Sequence, residues 1–181
     1  MKKVGCIFSS MVLLLMVSGC MFDAKLRTED KMQKYAIEHI ADDAVVESVE
    51  EVEMGLQGNK WTLYLERDSS RKFIVYEFTS RSGGVPSDHL SDHSDFANVW
   101  IKELFYEYKI DHPTIDNIVG EVSSNTYCDN CGSFIFRIDC SEDSIKEEET
   151  SAIDDFVSYV QDTGINFEKN SEFGYKVICK N

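Results

Sequence analysis

Aspartate and histidine side chains, which can bind metal ions, are concentrated between residues 88 and 95. The candidate ligands are His89, Asp92, His93, Asp95 and, further along the chain, His112. Imidazole and carboxylate groups suit zinc, nickel or manganese. If this segment were helical, its two histidines would lie four residues apart on one face and could share an ion with a third side chain. One hypothesis is therefore a metal-binding protein or a metal-dependent enzyme, with zinc as the alternative to having no cofactor.

The same residue types are also common in a polar segment that leads into a helix, where they bind no metal. The chain contains no His-Glu-x-x-His zinc signature, no Gly-x-Ser-x-Gly nucleophile elbow and no phosphate-binding or dinucleotide fingerprint. A catalytic triad cannot be deduced from abundant serines, acids and histidines, because such groups meet in space. The sequence therefore favours a non-catalytic binding or interaction domain, and no catalytic residue is assigned.

Four cysteines in the second half of the chain could pair in three ways. They are Cys128, Cys131, Cys140 and Cys179. Cys140 and Cys179 each end a predicted strand on its apolar side, which favours a disulfide between them and leaves a Cys-x-x-Cys unit. A four-cysteine zinc site is the alternative, although only one half has the usual close spacing. A redox motif is disfavoured because a turn and a strand follow the unit, not a helix.

A leader segment precedes all of these residues. Lys2 and Lys3 are followed by an apolar run from Val4 to Val17, which is too short to span a bilayer. The quartet Val17-Ser18-Gly19-Cys20 resembles the lipobox of bacterial lipoproteins. The resemblance implies cleavage before Cys20, lipidation of its thiol, and anchoring of the chain to the extracytoplasmic face of a cell membrane.

The composition limits the partners of the mature chain. Residues 1–19 form the predicted signal peptide, residues 20–27 the lipidated cysteine and tether, and residues 28–181 one domain of ordinary size. Loss of Lys2 and Lys3 leaves 16 basic against 33 acidic residues, a net charge of −17. Such a charge repels phosphate backbones, so nucleic acid is excluded as a partner. We expect an unknown protein or small ligand near the membrane surface.

Hydrophobic periodicity predicts the elements that position these residues. Helices are predicted at residues 28–42, 95–110 and 144–163. Strands are predicted at residues 45–54, 60–66, 73–78, 134–140 and 173–180. A long loop that could shape a recognition site is predicted at residues 81–95. The pattern of residues 115–122 fits either a short helix or a strand. The predicted fold class is α+β, an antiparallel sheet with about three helices packed mainly on one face.

Overall fold

A computed structural model describes residues 25–53, 57–82, 85–124, 130–141, 144–145 and 147–180, without the side chains of residues 80–91 and 141–145. Within these residues, three α-helices combine with a four-stranded sheet, a three-stranded sheet and a short hairpin. The predicted α+β class is confirmed. The leader, Cys20 and Cys128 lie outside the described residues.

The elements follow one another in a fixed chain order. They are α1 (Glu29–His39), β1 (Ala44–Glu53), β2 (Gln57–Leu65), β3 (Asp68–Ser82), β4 (Val85–Ser94), a π-helical turn (Ala97–Ile101), α2 (Lys102–Asp111), a 3-10 turn (Pro113–Ile115), β5 (Val119–Val122), β6 (Phe134–Ile138), β7 (Cys140–Ser141), β8 (Ser144–Ile145), α3 (Glu147–Asp162) and β9 (Tyr175–Cys179). All three predicted helices are present, with ends shifted by a few residues.

The larger sheet is an antiparallel meander in the order β1-β2-β3-β4. On β2, Trp61, Leu63 and Leu65 are buried, as the alternation in the sequence predicted. The acid-rich β1 lies at an edge and most of its residues are exposed. Charged side chains on an edge strand discourage pairing with other chains.

The prediction of a loop at residues 81–95 is wrong. Residues 85–94 form β4, in which His93 lies opposite Tyr76 and Asp92 opposite Glu77. The period-two signal is absent from the sequence because β4 is an edge strand whose buried residues Asp92 and Ser94 are polar. The segment is therefore part of the sheet and not a free recognition loop.

The smaller sheet has the order β5-β6-β9. Residues 119–122 are a strand, which settles the ambiguity in the sequence, and they pair antiparallel with β6. β6 and β9 are parallel, with Phe134 opposite Tyr175. The sequence predicted a single antiparallel sheet, whereas β6 and β9 form a parallel pair in a second sheet.

Residues from all three helices join one buried cluster with the inner faces of β2 and β3. An aromatic group fills the part of this core beside β6, where the ring of Phe105 lies 5.2 Å from that of Phe156 and 5.4 Å from that of Phe134. Gly120 leaves room for these rings, because a Cβ there would come within 2.5 Å of Phe134. None of the described helices combines the length and the apolar character that crossing a membrane requires.

Candidate functional site

The histidines proposed as metal ligands belong to a strand, not to a helix. Residues four apart on a strand are about 13 Å apart along its axis, so His89 and His93 lack the helical spacing on which the metal hypothesis depended. Among the described residues no group of three His, Cys, Asp or Glu side chains could hold a metal. The side chain of His89 lies outside the description, so zinc binding stays a prediction.

The other two candidate ligands have structural partners. His112 follows α2, is exposed, and stacks its ring on Tyr108 at 3.7 Å between centroids. The Asp95 carboxylate accepts a 2.7 Å hydrogen bond from the Ile74 amide, and its carbonyl accepts one from the Asn98 amide. Asp95 therefore joins β3 to the start of the π-helical turn, and burial raises the pKa of its carboxyl.

Arg27, the last residue of the predicted tether, inserts into the domain. Its guanidinium donates two hydrogen bonds to the Asp92 carboxylate, at 2.8 and 3.0 Å, and one to Glu77 at 3.0 Å. Its backbone amide donates a further 2.9 Å bond to Glu77. Paired guanidinium–carboxylate bonds of this kind fix both position and orientation. The start of the domain is thus fixed to β3 and β4.

Glu77 is fully buried, although it occupies the face of β3 that also buries Phe73 and Val75. Besides Arg27, it accepts a 3.1 Å hydrogen bond from the Trp61 indole and a 3.4 Å bond from the Asn59 amide. A buried carboxylate is tolerated only when its oxygens are paired in this way. Arg27 and the donors on β2 together hold this charge inside the protein.

Tyr35 closes the other side of Arg27. The guanidinium carbon lies 3.8 Å from the centroid of the Tyr35 ring, a cation–π contact. Burial, followed by the negative charges of Asp92 and Glu172, raises the pKa of the Tyr35 hydroxyl. The phenol therefore stays neutral and keeps its proton beside the buried carboxylates.

A cleft of about 190 Å³ adjoins this buried cluster. It is lined by Asp92, His93 and Ser94 of β4, and by Ser123, Cys131, Gly132, Ser133 and Glu172. A 2.9 Å hydrogen bond from the Gly132 amide to the Ser94 carbonyl joins its two sides. Asp92 thus belongs to the Arg27 cluster and to the cleft.

Two titratable groups in the cleft have shifted pKa values. Desolvation of the Glu172 carboxyl by the surrounding protein, followed by the charge of Asp92, raises its pKa to about 8, while Arg27 opposes the rise. The residue as a whole is nevertheless exposed. Burial lowers the pKa of His93, and Asp92 opposes that change. Near neutral pH, both groups therefore favour their uncharged forms.

The three described cysteines agree with the disulfide prediction. Cys140 and Cys179 form a disulfide with their Cα atoms 5.4 Å apart. Cys131 is also disulfide-bonded. The predicted partner of Cys131, Cys128, lies outside the described residues. The three described sulfur atoms are therefore not free thiolates for the alternative zinc site.

The residues around Arg27 were not found from the sequence. Glu77 carried a usable signal, because a charged residue in register with Phe73 and Val75 on a buried strand face requires a buried partner. Arg27 and Glu172 carried none, since they lie outside the regular elements and meet Asp92 only through the fold.

Comparison with protein-family models, curated proteins and solved structures finds no match.

Proposed function

We propose that this chain is a lipid-anchored, non-catalytic binding domain on the extracytoplasmic face of a cell membrane. The observation that carries the proposal is that Asp92 both holds Arg27, where the tether ends, and lines the cleft. The end of the proposed tether and the candidate binding site are therefore neighbours in the folded domain.

The length of the tether supports a position close to the membrane. Seven residue steps separate Cys20 from Arg27, and an extended chain spans at most about 3.6 Å per residue, or roughly 25 Å in all. Because Arg27 is held by Glu77 and Asp92, no further chain can be released to lengthen this reach without breaking buried ion pairs. We therefore expect the ligand or partner to lie at the membrane surface.

The Cys140–Cys179 disulfide supports the proposed compartment. Disulfides persist in oxidising surroundings outside the cytoplasm and are rare where thiols are kept reduced. The net charge of −17 after removal of the leader disfavours nucleic acid and anionic lipid as ligands. A neutral or cationic ligand, or a protein partner, fits this charge.

Detergent partitioning of the chain expressed with its leader in a bacterial host tests the anchor. The wild-type chain is expected in the detergent phase, and Cys20→Ser in the aqueous phase or as an uncleaved precursor. Cys6→Ser is the matched control, since it removes a leader cysteine outside the lipobox and should partition as the wild type does. Gel mobility separates the cleaved chain from the uncleaved precursor. A Cys20→Ser chain that is cleaved and partitions as the wild type does would refute the proposal.

A further inference from the structure

The serine hydroxyls that line the cleft present hydrogen-bond acceptors to a ligand. The Ser94 hydroxyl donates to the Ile74 carbonyl at 2.8 Å, and the Ser123 hydroxyl to the Ser133 carbonyl at 3.2 Å. The Ser133 hydroxyl lies 3.4 Å from the carbonyls of Ser171 and Glu172, so its proton is also directed to the backbone. Because the three hydroxyl protons are engaged, the serine oxygens offer only lone pairs to a ligand.

The charges around the cleft also favour a ligand that is positively charged. The guanidinium of Arg27 is shared between Glu77 and Asp92, one cation for two carboxylates. Glu172 adds a third carboxyl group, which makes no hydrogen bond within the described part of the chain. A ligand that brings positive charge and N–H donors would supply what this lining lacks.

The size of the cleft restricts such a ligand. The cleft has a volume of about 190 Å³. It lies below the roughly 300–1,000 Å³ that is usual for drug-sized ligands. A cleft of this size accommodates a small ligand group.

We propose that this cleft binds a primary ammonium group of ethanolamine size, with the carboxylate of Glu172 and the serine oxygens of the cleft as its acceptors. The inference rests on the proposed function, because it names a ligand class for the same binding site. Ammonium groups of this size occur as free amines and as lipid headgroups, and the tether places the cleft within reach of the latter.

Binding of such a cation is coupled to a proton. The charged and titratable groups that interact with Glu172 are Asp92 of β4, Arg27 of the tether and Tyr35 of α1, and His93 of β4 lines the same cleft. Since the pKa of Glu172 is about 8, ammonium binding below that pH must release its proton. The affinity for ammonium should therefore rise as the pH is raised towards 8.

The test is calorimetric titration of the full chain, purified in detergent, with ethanolammonium chloride. We expect saturable binding that Glu172→Gln weakens by about tenfold or more, as for loss of a hydrogen bond to a charged group. Glu168→Gln is the matched control, because it removes an exposed carboxylate of the same loop and should leave the affinity unchanged. Tetramethylammonium, which has the charge but no N–H group, should bind more weakly.

Absence of saturable ethanolammonium binding, equal weakening by both substitutions, or equal binding of tetramethylammonium would overturn the proposal. Vesicles that contain phosphatidylethanolamine or only phosphatidylcholine distinguish the two sources. Retention on the first alone of a chain that begins at Met21, and so lacks the leader and Cys20, assigns a lipid headgroup. Binding of free ethanolammonium without such retention assigns a soluble amine. Detergent titration does not depend on lipidation, so failure here is separate from failure of the anchor proposal.

Discussion

At the scale of single residues, Arg27 connects the tether to the fold. Its side chain is 17% exposed, whereas those of its partners Glu77 and Asp92 are 0% and 5% exposed. Two carboxylates buried this deeply depend on the guanidinium for their charge balance. The contact is therefore expected to contribute to folding as well as to the position of the domain.

Arg27→Ala should lower the free energy of unfolding by about 3 kcal/mol, because it leaves two buried carboxylates without their cation. Urea unfolding followed by tryptophan fluorescence measures the change. Lys25→Ala is the control, since Lys25 is exposed in the same segment and should alter stability by less than about 0.5 kcal/mol. Equal stability of the two variants would show that the buried pairs do not hold the tether.

Glu172 is expected to make the stability of the domain depend on pH. Its folded pKa is about 8, above the ordinary value of about 4.3, so between these values the folded chain holds more protons than the unfolded chain. The Glu172 contribution to stability is therefore present at low pH and lost as the pH rises through about 8.

Urea unfolding at several values between about pH 5 and pH 8 tests this sign. The wild-type chain should lose stability with rising pH relative to Glu172→Gln, which cannot titrate. His93 has a lowered pKa and acts in the opposite direction, but it is present in both chains and cancels in the difference. Parallel stability curves would contradict the assigned environment of Glu172.

At the scale of elements, the disulfide secures β9. Cys140 and Cys179 are 39 residues apart in sequence, and β9 pairs with β6 directly before the bridge. In the chain-entropy account, closing a loop of this length stabilises the folded state by about 4 kcal/mol. The loop contains α3, so the bridge also restricts this helix in the unfolded chain.

The double variant Cys140→Ser and Cys179→Ser should therefore unfold at lower urea concentration, with a loss of about 2–4 kcal/mol. Ser151→Ala, which changes an exposed residue of α3, serves as the control and should alter stability by less than about 0.5 kcal/mol. Peptide mapping without reductant should recover Cys140 and Cys179 in one linked pair. Recovery of both as free thiols would contradict the bridge.

The sequence predicted those elements whose partners are apolar. Trp61, Leu63 and Leu65 alternate because one face of β2 packs in the core, and the helices were found from the spacing of their buried residues. Cys140 and Cys179 were paired correctly because both lie beside apolar residues at strand ends. The hydrophobic pattern of the sequence was sufficient to predict the elements that are buried in the core.

The elements that the sequence missed depend on polar or long-range contacts. β4 buries Asp92, which is stable there only because Arg27 approaches from a segment 65 residues away. The parallel pairing of β6 with β9 is likewise long-range, since strand patterns do not identify the partner. The cleft combines β4 with residues after β5 and before β9, so no single segment of sequence could have indicated it.

At the scale of the whole molecule, charge and attachment define the setting of the cleft. The acidic residues are spread over several elements, and the edge strand β1 alone carries Glu47, Glu50, Glu51 and Glu53. We propose that Cys20 holds this acidic domain at the membrane while Arg27 limits how far it can move away. Cations concentrated by such a domain would meet the acceptor-lined cleft close to the membrane surface.

The most direct test of this central claim is mass spectrometry of the N-terminal peptide from the chain expressed with its leader in a bacterial host. The account predicts a peptide that begins at Cys20 and carries diacylglycerol on its thiol. A chain that begins at another residue, or an unmodified Cys20, would contradict the lipid anchor and the membrane position derived from it.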